Sequence, residues 1–129
     1  VMMVDEAHVL LSSRNELGAE FLAQIQRRSR KYNTGTIIIT QQPTDFAAPN
    51  MIVHGKAIFD NASYYLVMGL RKQAVEDLSK LIDLNEAEKE SIKYYNQGDA
   101  LFVCGNKRMR IQVVITQEEL DSFGSGGGY

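Results

Sequence analysis

Asp5 and Glu6 stand side by side directly after the apolar run Val1-Met2-Met3-Val4, and Gln41 follows a second apolar run, Ile37-Ile38-Ile39 with Thr40. A carboxylate at the end of a buried strand can hold a magnesium ion, directly or through water. A second one beside it can orient or deprotonate an attacking water. The amide of Gln41 can donate to a phosphate and accept from a water, so it suits a sensor of a terminal phosphate or a positioner of the nucleophile. Together these residue types describe the Walker B part of a nucleoside triphosphate-hydrolysing centre. An acidic pair also arises wherever a core strand simply meets solvent, and only the placement of the three side chains separates the two readings.

The flanking elements determine whether they can meet. Four apolar residues without polar alternation predict a strand covered on both faces, as in a parallel sheet. Ser13 and Glu16 have the spacing of a capping box, which predicts a helix from about Arg14 to Tyr32. Leu17, Phe21, Ile25 and Tyr32, with Leu22 beside them, would form its sheet-packing face, and Asn33-Thr34-Gly35 would end it. The β-branched run 36–40 predicts a second buried strand. Strand, helix, strand at this spacing makes a right-handed parallel crossover. Both strand ends, and with them Asp5, Glu6 and Gln41, then face one edge of the sheet, where ligands bind in open α/β folds.

Further along, residues 43–49 read as a loop, residues 50–54 as a short helical turn, and Ala57-Ile58-Phe59 and residues 65–68 as candidate strands, the second of which could also start a helix. Ala74, Val75, Leu78 and Ile82 predict a helix within 71–82. Asn85 with Glu88 predicts a capped helix reaching toward Tyr95, closed by Asn96-Gln97-Gly98. A hairpin follows around Gly105-Asn106. In its second strand Met109, Ile111, Val113 and Ile115 should face the core, with Arg108, Arg110 and Gln112 facing water. Thr116 and Glu119 cap a last short helix. The expected fold class is α/β, a largely parallel sheet flanked by helices with a C-terminal β-hairpin. Residues 1–123 form one unit and the Gly/Ser-rich 124–129 a flexible tail. A strand needing cover on both faces at residue 1 also predicts upstream sequence that completes the sheet.

Arg27, Arg28, Arg30 and Lys31 place four positive charges in five residues near a helix C-terminus. Such a run suits a solvated face helped by the helix dipole; one of its arginines could instead stabilise charge on a transferred phosphoryl group. Consecutive helical residues diverge around the axis, so at most one or two could serve one site. His8 and His54 are the only histidines and Cys104 the only cysteine, which leaves no metal-binding cluster of these types and no internal disulfide. His8 is expected to pack near the strand end, and Cys104 to be a buried thiol. A net charge of −2 argues against a general nucleic-acid binder. Arg108 and Arg110 remain local candidates for touching DNA or a neighbouring subunit. No run is long and apolar enough to span a bilayer, so membrane association would go through a partner. The phosphate-cradling pattern G-x-x-x-x-G-K-[ST] is absent from the 129 residues, so this chain alone is not expected to bind ATP tightly or turn it over.

In this order VMMVDEAHVLL, RRSRKYNTGTIIITQQ and GDALFVCGNKRMRIQVVITQEEL resemble the C-terminal stretch of the conjugative-transfer and type IV secretion ATPases of the VirB/TraC/TrbE class, relatives of the HerA and FtsK motors. The resemblance covers almost the whole chain except the glycine tail. It implies the C-terminal portion of a RecA-like P-loop NTPase domain, ATP and Mg2+ as cofactors, assembly into hexamers or related oligomers, contacts with other secretion subunits, DNA among the candidate substrates, and a cytoplasmic site at the inner face of the membrane. It matches Asp5 and Glu6 to the Walker B acids, with Asp5 on the metal, Gln41 to the glutamine after the next strand, and the segment Arg28 to Lys31 to a basic, nucleotide-contacting motif. Members often carry an aromatic residue where this chain has His8. Two other readings compete. A DEAH-box helicase fits the Asp-Glu-Ala-His spelling, but the next strand ends in Thr-Gln-Gln rather than a Ser-Ala-Thr type motif. A degenerate domain would serve only as an interaction module.

Overall fold

In a computed structural model, which describes residues 1–11 and 16–123, the chain is a mixed α/β fold with two small sheets. β1 (Met2–Val4) and β2 (Thr36–Ile38) pair in parallel, Met3 opposite Ile37. Backbone bonds extend this ladder past both strands, from Ile39 N to the Val4 carbonyl at 2.9 Å and from Ala7 N to the Ile39 carbonyl at 2.9 Å. Helix α1 (Glu16–Ser29), followed by a 3-10 turn at Arg30–Tyr32, makes the crossover. The helix ends through Asn33, whose φ is 50°, while Thr34 N bonds back to the Ser29 carbonyl at 3.0 Å. Asn33, not Gly35, therefore takes the left-handed position, which asparagine tolerates through its short polar side chain. The proposed cap at Ser13 lies outside the described residues.

The face that α1 buries matches the expected one only at Leu22 and, half-buried, Ile25. Ala19, Leu22 and Ala23 are buried, whereas Leu17, Phe21 and Tyr32 are exposed. The helix packs on α3 (Ile52–Asp60), and small residues at i and i+4 favour such close helix–helix contact. Residues 43–49 are not a loop: Pro43–Ala47 form helix α2, with Pro43 in its first turn and Phe46 fully buried. Nor is 57–59 a strand, because Ala57, Ile58 and Phe59 lie within α3. A three-residue apolar run carries no period to tell strand from helix. A tertiary contact accounts for the glycine in this helix: a Cβ on Gly55 would lie 2.2 Å from the Phe46 carbonyl oxygen, so only glycine lets α3 approach α2 this closely.

The larger sheet is antiparallel, with order β3 (Tyr64–Met68), β4 (Asp99–Cys104), β5 (Lys107–Gln112). The parallel part is thus confined to two strands, not most of the sheet. Helices α4 (Lys72–Leu78) and α5 (Glu86–Lys93) accompany the larger sheet, and α6 (Gln117–Phe123) follows it. Asn85 and Glu88 cap α5 reciprocally, as their spacing predicts.

The hairpin's faces are inverted relative to the expectation. Arg110 and Arg108 are paired with Leu101 and Val103 in register, so the arginines share the face that packs on the second core. There Arg108 Nη1 donates to Glu88 Oε2 at 2.8 Å and Nη2 to the Asp83 carbonyl at 2.7 Å. Arg110 Nη2 donates to Asp99 Oδ2 at 2.8 Å and its guanidinium lies over the Tyr95 ring. Met109 and Ile111 belong instead to the other face, with Tyr64, Leu66, Met68 and Phe102, and most of these side chains are substantially exposed. Alternation along β5 separated the two faces correctly. The covered face is the one on which α5 packs, where Glu88 offers Arg108 a partner and Asp99 of β4 offers Arg110 one. Cys104 is half-buried rather than buried.

Two cores result. One joins Val4 and Ile38 of the parallel pair to Leu22, Phe46, Met51 and Ile58. The other joins Val67, Leu101 and Val103 to Val75, Leu78, Ile82 and Ile92. Phe59 packs against both: its ring meets Phe46 edge-on at 5.5 Å and stacks on Tyr65 at 6.1 Å, and the Tyr65 hydroxyl donates to the Phe59 carbonyl at 2.7 Å.

Candidate functional site

The parallel pairing of β1 and β2 delivers Asp5, Glu6 and Gln41 to one rim. Gln41 Nε2 donates to Glu6 Oε1 at 2.6 Å, a contact between side chains 35 residues apart in sequence. Asp5 accepts the Glu6 backbone N–H on Oδ1 at 2.8 Å and is otherwise exposed. The Gln42 backbone N–H donates to the Thr40 hydroxyl at 3.1 Å.

Glu6 adopts a left-handed backbone conformation, φ 49° and ψ 43°. For a residue with a Cβ this costs on the order of 1–3 kcal/mol, and it persists only where the surroundings over-determine it. Here the Ala7 N–H bonded to Ile39 fixes the far side of Glu6, and a 3-10 turn at Ala7–Val9 folds the chain back on itself. That turn brings His8 to the same carboxylate, with Nδ1 3.1 Å from Glu6 Oε2. The pair is close enough for an ionic contact but lacks the alignment of a hydrogen bond. Both atoms are buried, and neither has another hydrogen-bond partner. His8 therefore does more than fill space at the strand end. The sequence carried one signal for it, a polar ring two residues after the acid, but gave no sign of the left-handed turn that directs it inward.

The basic run lies elsewhere. Because β1 and β2 are parallel, α1 must carry the chain back from the carboxylate rim to the edge where β2 begins. Met2 N bonds to the Gly35 carbonyl at that starting edge. Arg27, Arg28 and Lys31, at the C-terminal end of α1 and in the turn after it, are thus displaced from Glu6 by about the 10 Å length of a three-residue strand. Their side chains are exposed. That of Arg30 lies outside the described residues. Within one chain the structure does not bring Arg28 and Lys31 to the acidic pair. His54 sits on α3, half-buried.

The donor set fits a small hard cation held jointly with a phosphate rather than a closed protein cage. Among the described residues no group of three or more metal-ligating side chains converges. Asp5 offers an exposed carboxylate oxygen beyond the one used by the Glu6 N–H, and magnesium commonly takes one or two carboxylates plus substrate oxygens.

No protein-family model matches the chain. A curated Bacillus anthracis protein described as uncharacterized is 23% identical over 133 residues, which cover 98% of this chain and 21% of that protein. Among solved structures, VirB4 of Thermoanaerobacter pseudethanolicus matches with a TM-score of 0.84 and 33% identity over 92% of this chain. This chain spans about a third of the VirB4 chain (32%) and about a fifth of the Bacillus anthracis protein (21%). The chain is VirB4-like over nearly its whole length, so the resemblance to that class of type IV secretion ATPases is borne out.

Proposed function

We propose that this VirB4-like chain carries the water-activating half of an ATP-hydrolysing centre in a RecA-like motor that energises conjugative DNA transfer or type IV secretion. The observation that carries the reading is the 2.6 Å bond from Gln41 to Glu6 across the rim of two parallel strands. A strand end that simply meets solvent has no need of a long-range partner for its acid. Glu6 is the base that orients and deprotonates water. Gln41 keeps one amide hydrogen and its carbonyl oxygen for phosphate and water. Asp5 would hold the magnesium ion, which when bound neutralises charge on the phosphate oxygens. The phosphate-cradling loop must come from sequence beyond these residues. Arg28 and Lys31, exposed and at the other end of the crossover from their own chain's carboxylates, would contact nucleotide bound by a neighbouring subunit in an oligomeric ring, with Arg30 beside them in sequence. Work at the inner face of the membrane would go through partner subunits, and no helix among the described residues is long and apolar enough to cross a membrane.

The test is Glu6→Gln in the full-length protein, which keeps the shape and removes the base. Hydrolysis should fall by roughly 100-fold or more while ATP binding is retained. Undiminished turnover in that variant would remove Glu6 from the mechanism and the proposal with it.

A further inference from the structure

We propose that His8 is a positioning residue, holding Glu6 from the side opposite Gln41 so that the carboxylate is fixed by both of its oxygens. This rests on the reading of Glu6 as the base and adds a residue to it. Gln41 takes Oε1 at 2.6 Å and His8 Nδ1 approaches Oε2 at 3.1 Å. An ionised carboxylate oxygen offers about two lone-pair sites, so Oε1, which Gln41 engages once, keeps one to accept a proton from water.

Two observations and one chemical argument converge on this role. The first is burial: Glu6 Oε2 and His8 Nδ1 are both shielded from water, and each has only the other within reach. A buried acceptor without a donor is costly, and the imidazole N–H is the group on hand to satisfy it. The second is the tautomer. An unprotonated Nδ1 would set its lone pair against that of the carboxylate, so the form that fits carries its proton on Nδ1. The third is the backbone. The left-handed conformation at Glu6 and the 3-10 turn after it are the features that swing His8 back over its own neighbour. In an extended continuation of β1 the two side chains would share a face but stand about 7 Å apart along it, rather than fold onto one point. Hydrogen bonds of this kind commonly tighten only in the complex with substrate, which accounts for the imperfect alignment.

The consequence is geometric. A base held at one oxygen swivels about its terminal torsion, whereas one held at both keeps its remaining lone pairs aimed at the water. Misplacement by about 1 Å costs roughly 100-fold in rate. Loss of His8 should therefore act on kcat and leave the KM for ATP almost unchanged, since nucleotide binding uses other groups.

Four variants of the full-length protein, assayed with ATP and Mg2+, decide the matter. His8→Phe keeps the ring and removes the donor, and should lower kcat by roughly 10- to 100-fold at near-constant KM. His8→Ala should do the same. His8→Asn places an amide N–H about where Nδ1 sits and should recover most of the loss; His8→Gln, whose amide reaches about the Nε2 position, should not. A His8→Phe enzyme as fast as wild type would show that only packing matters and overturn the proposal, as would equal losses in the Asn and Phe variants. If the Ala variant does not fold, the Phe and Asn pair still decides. Glu6→Gln is run alongside: normal turnover there defeats the assignment of Glu6 itself, a different outcome from failure at His8 alone.

Discussion

At the scale of single residues, the acids of this chain divide by what holds them. Glu6 is held by Gln41 and His8 at the rim of the parallel pair, whereas Asp77 and Asp99 are held by contacts with neighbouring cations and backbone. Asp99 accepts the Asn96 backbone N–H at 3.0 Å and then the Arg110 guanidinium at 2.8 Å, and these hold its carboxyl below the usual carboxylate range. Asp77 is lowered first by Lys80, whose ammonium lies 2.6 Å away, against an opposing push from burial. A carboxyl whose folded pKa lies below its unfolded value stabilises the fold above the unfolded pKa and loses that contribution as pH falls through the folded one. Thermal unfolding should thus be nearly insensitive to pH near neutrality and fall steeply below about pH 4, the unfolded carboxylate range. Asp99→Asn should flatten that acid slope. An unchanged slope in the variant would show that Asp99 is not linked to folding. The acids could be read from the sequence, but their partners could not: Arg110 is 11 residues from Asp99 and Gln41 is 35 from Glu6.

At the scale of elements, local capping signals translated directly into structure, and hydrophobic patterns did so only where a neighbour cooperated. The Asn85–Glu88 box and the Thr116–Glu119 box both close as their spacing requires, because each is complete within four residues. The hairpin's alternation was equally legible, but alternation is symmetric and cannot say which face is covered. The inversion has a measurable consequence. Met109→Thr, on the open face, should shift stability by less than about 0.5 kcal/mol, whereas Val103→Ala on the helix-covered face should cost about 1–3 kcal/mol. Chemical denaturation of the two variants distinguishes the faces, and the reverse ranking would restore the assignment made from alternation. Helix α3 offers a second case. Gly55→Ala raises helix propensity by about 1 kcal/mol, yet should be net destabilising because the new Cβ has nowhere to go but into the Phe46 carbonyl. A stabilised variant would mean that α2 and α3 can move apart at little cost.

At the scale of the whole molecule, both sheets have one covered and one open face. Met3, Ile37 and Ile39 are exposed on the parallel pair, and Tyr64, Leu66, Met68 and Met109 on the antiparallel sheet. A chain with so much open apolar surface and a net charge of only −2 should self-associate when prepared alone. Light scattering should show a mass that rises with concentration, and a strictly monomeric species at high concentration would contradict this. The sequence by itself determined the parallel crossover, the capped helix α5, the C-terminal hairpin and the meeting of Glu6 with Gln41 on one rim, because these follow from short-range patterns and the geometry of the crossover. Only the tertiary structure decided which faces are buried, that residues 57–59 are helical, that the basic run lies away from the acids, and that His8 turns back onto Glu6. Each of those depends on a contact between residues whose partner cannot be known until the chain has folded, or on a backbone conformation that no side-chain pattern announces.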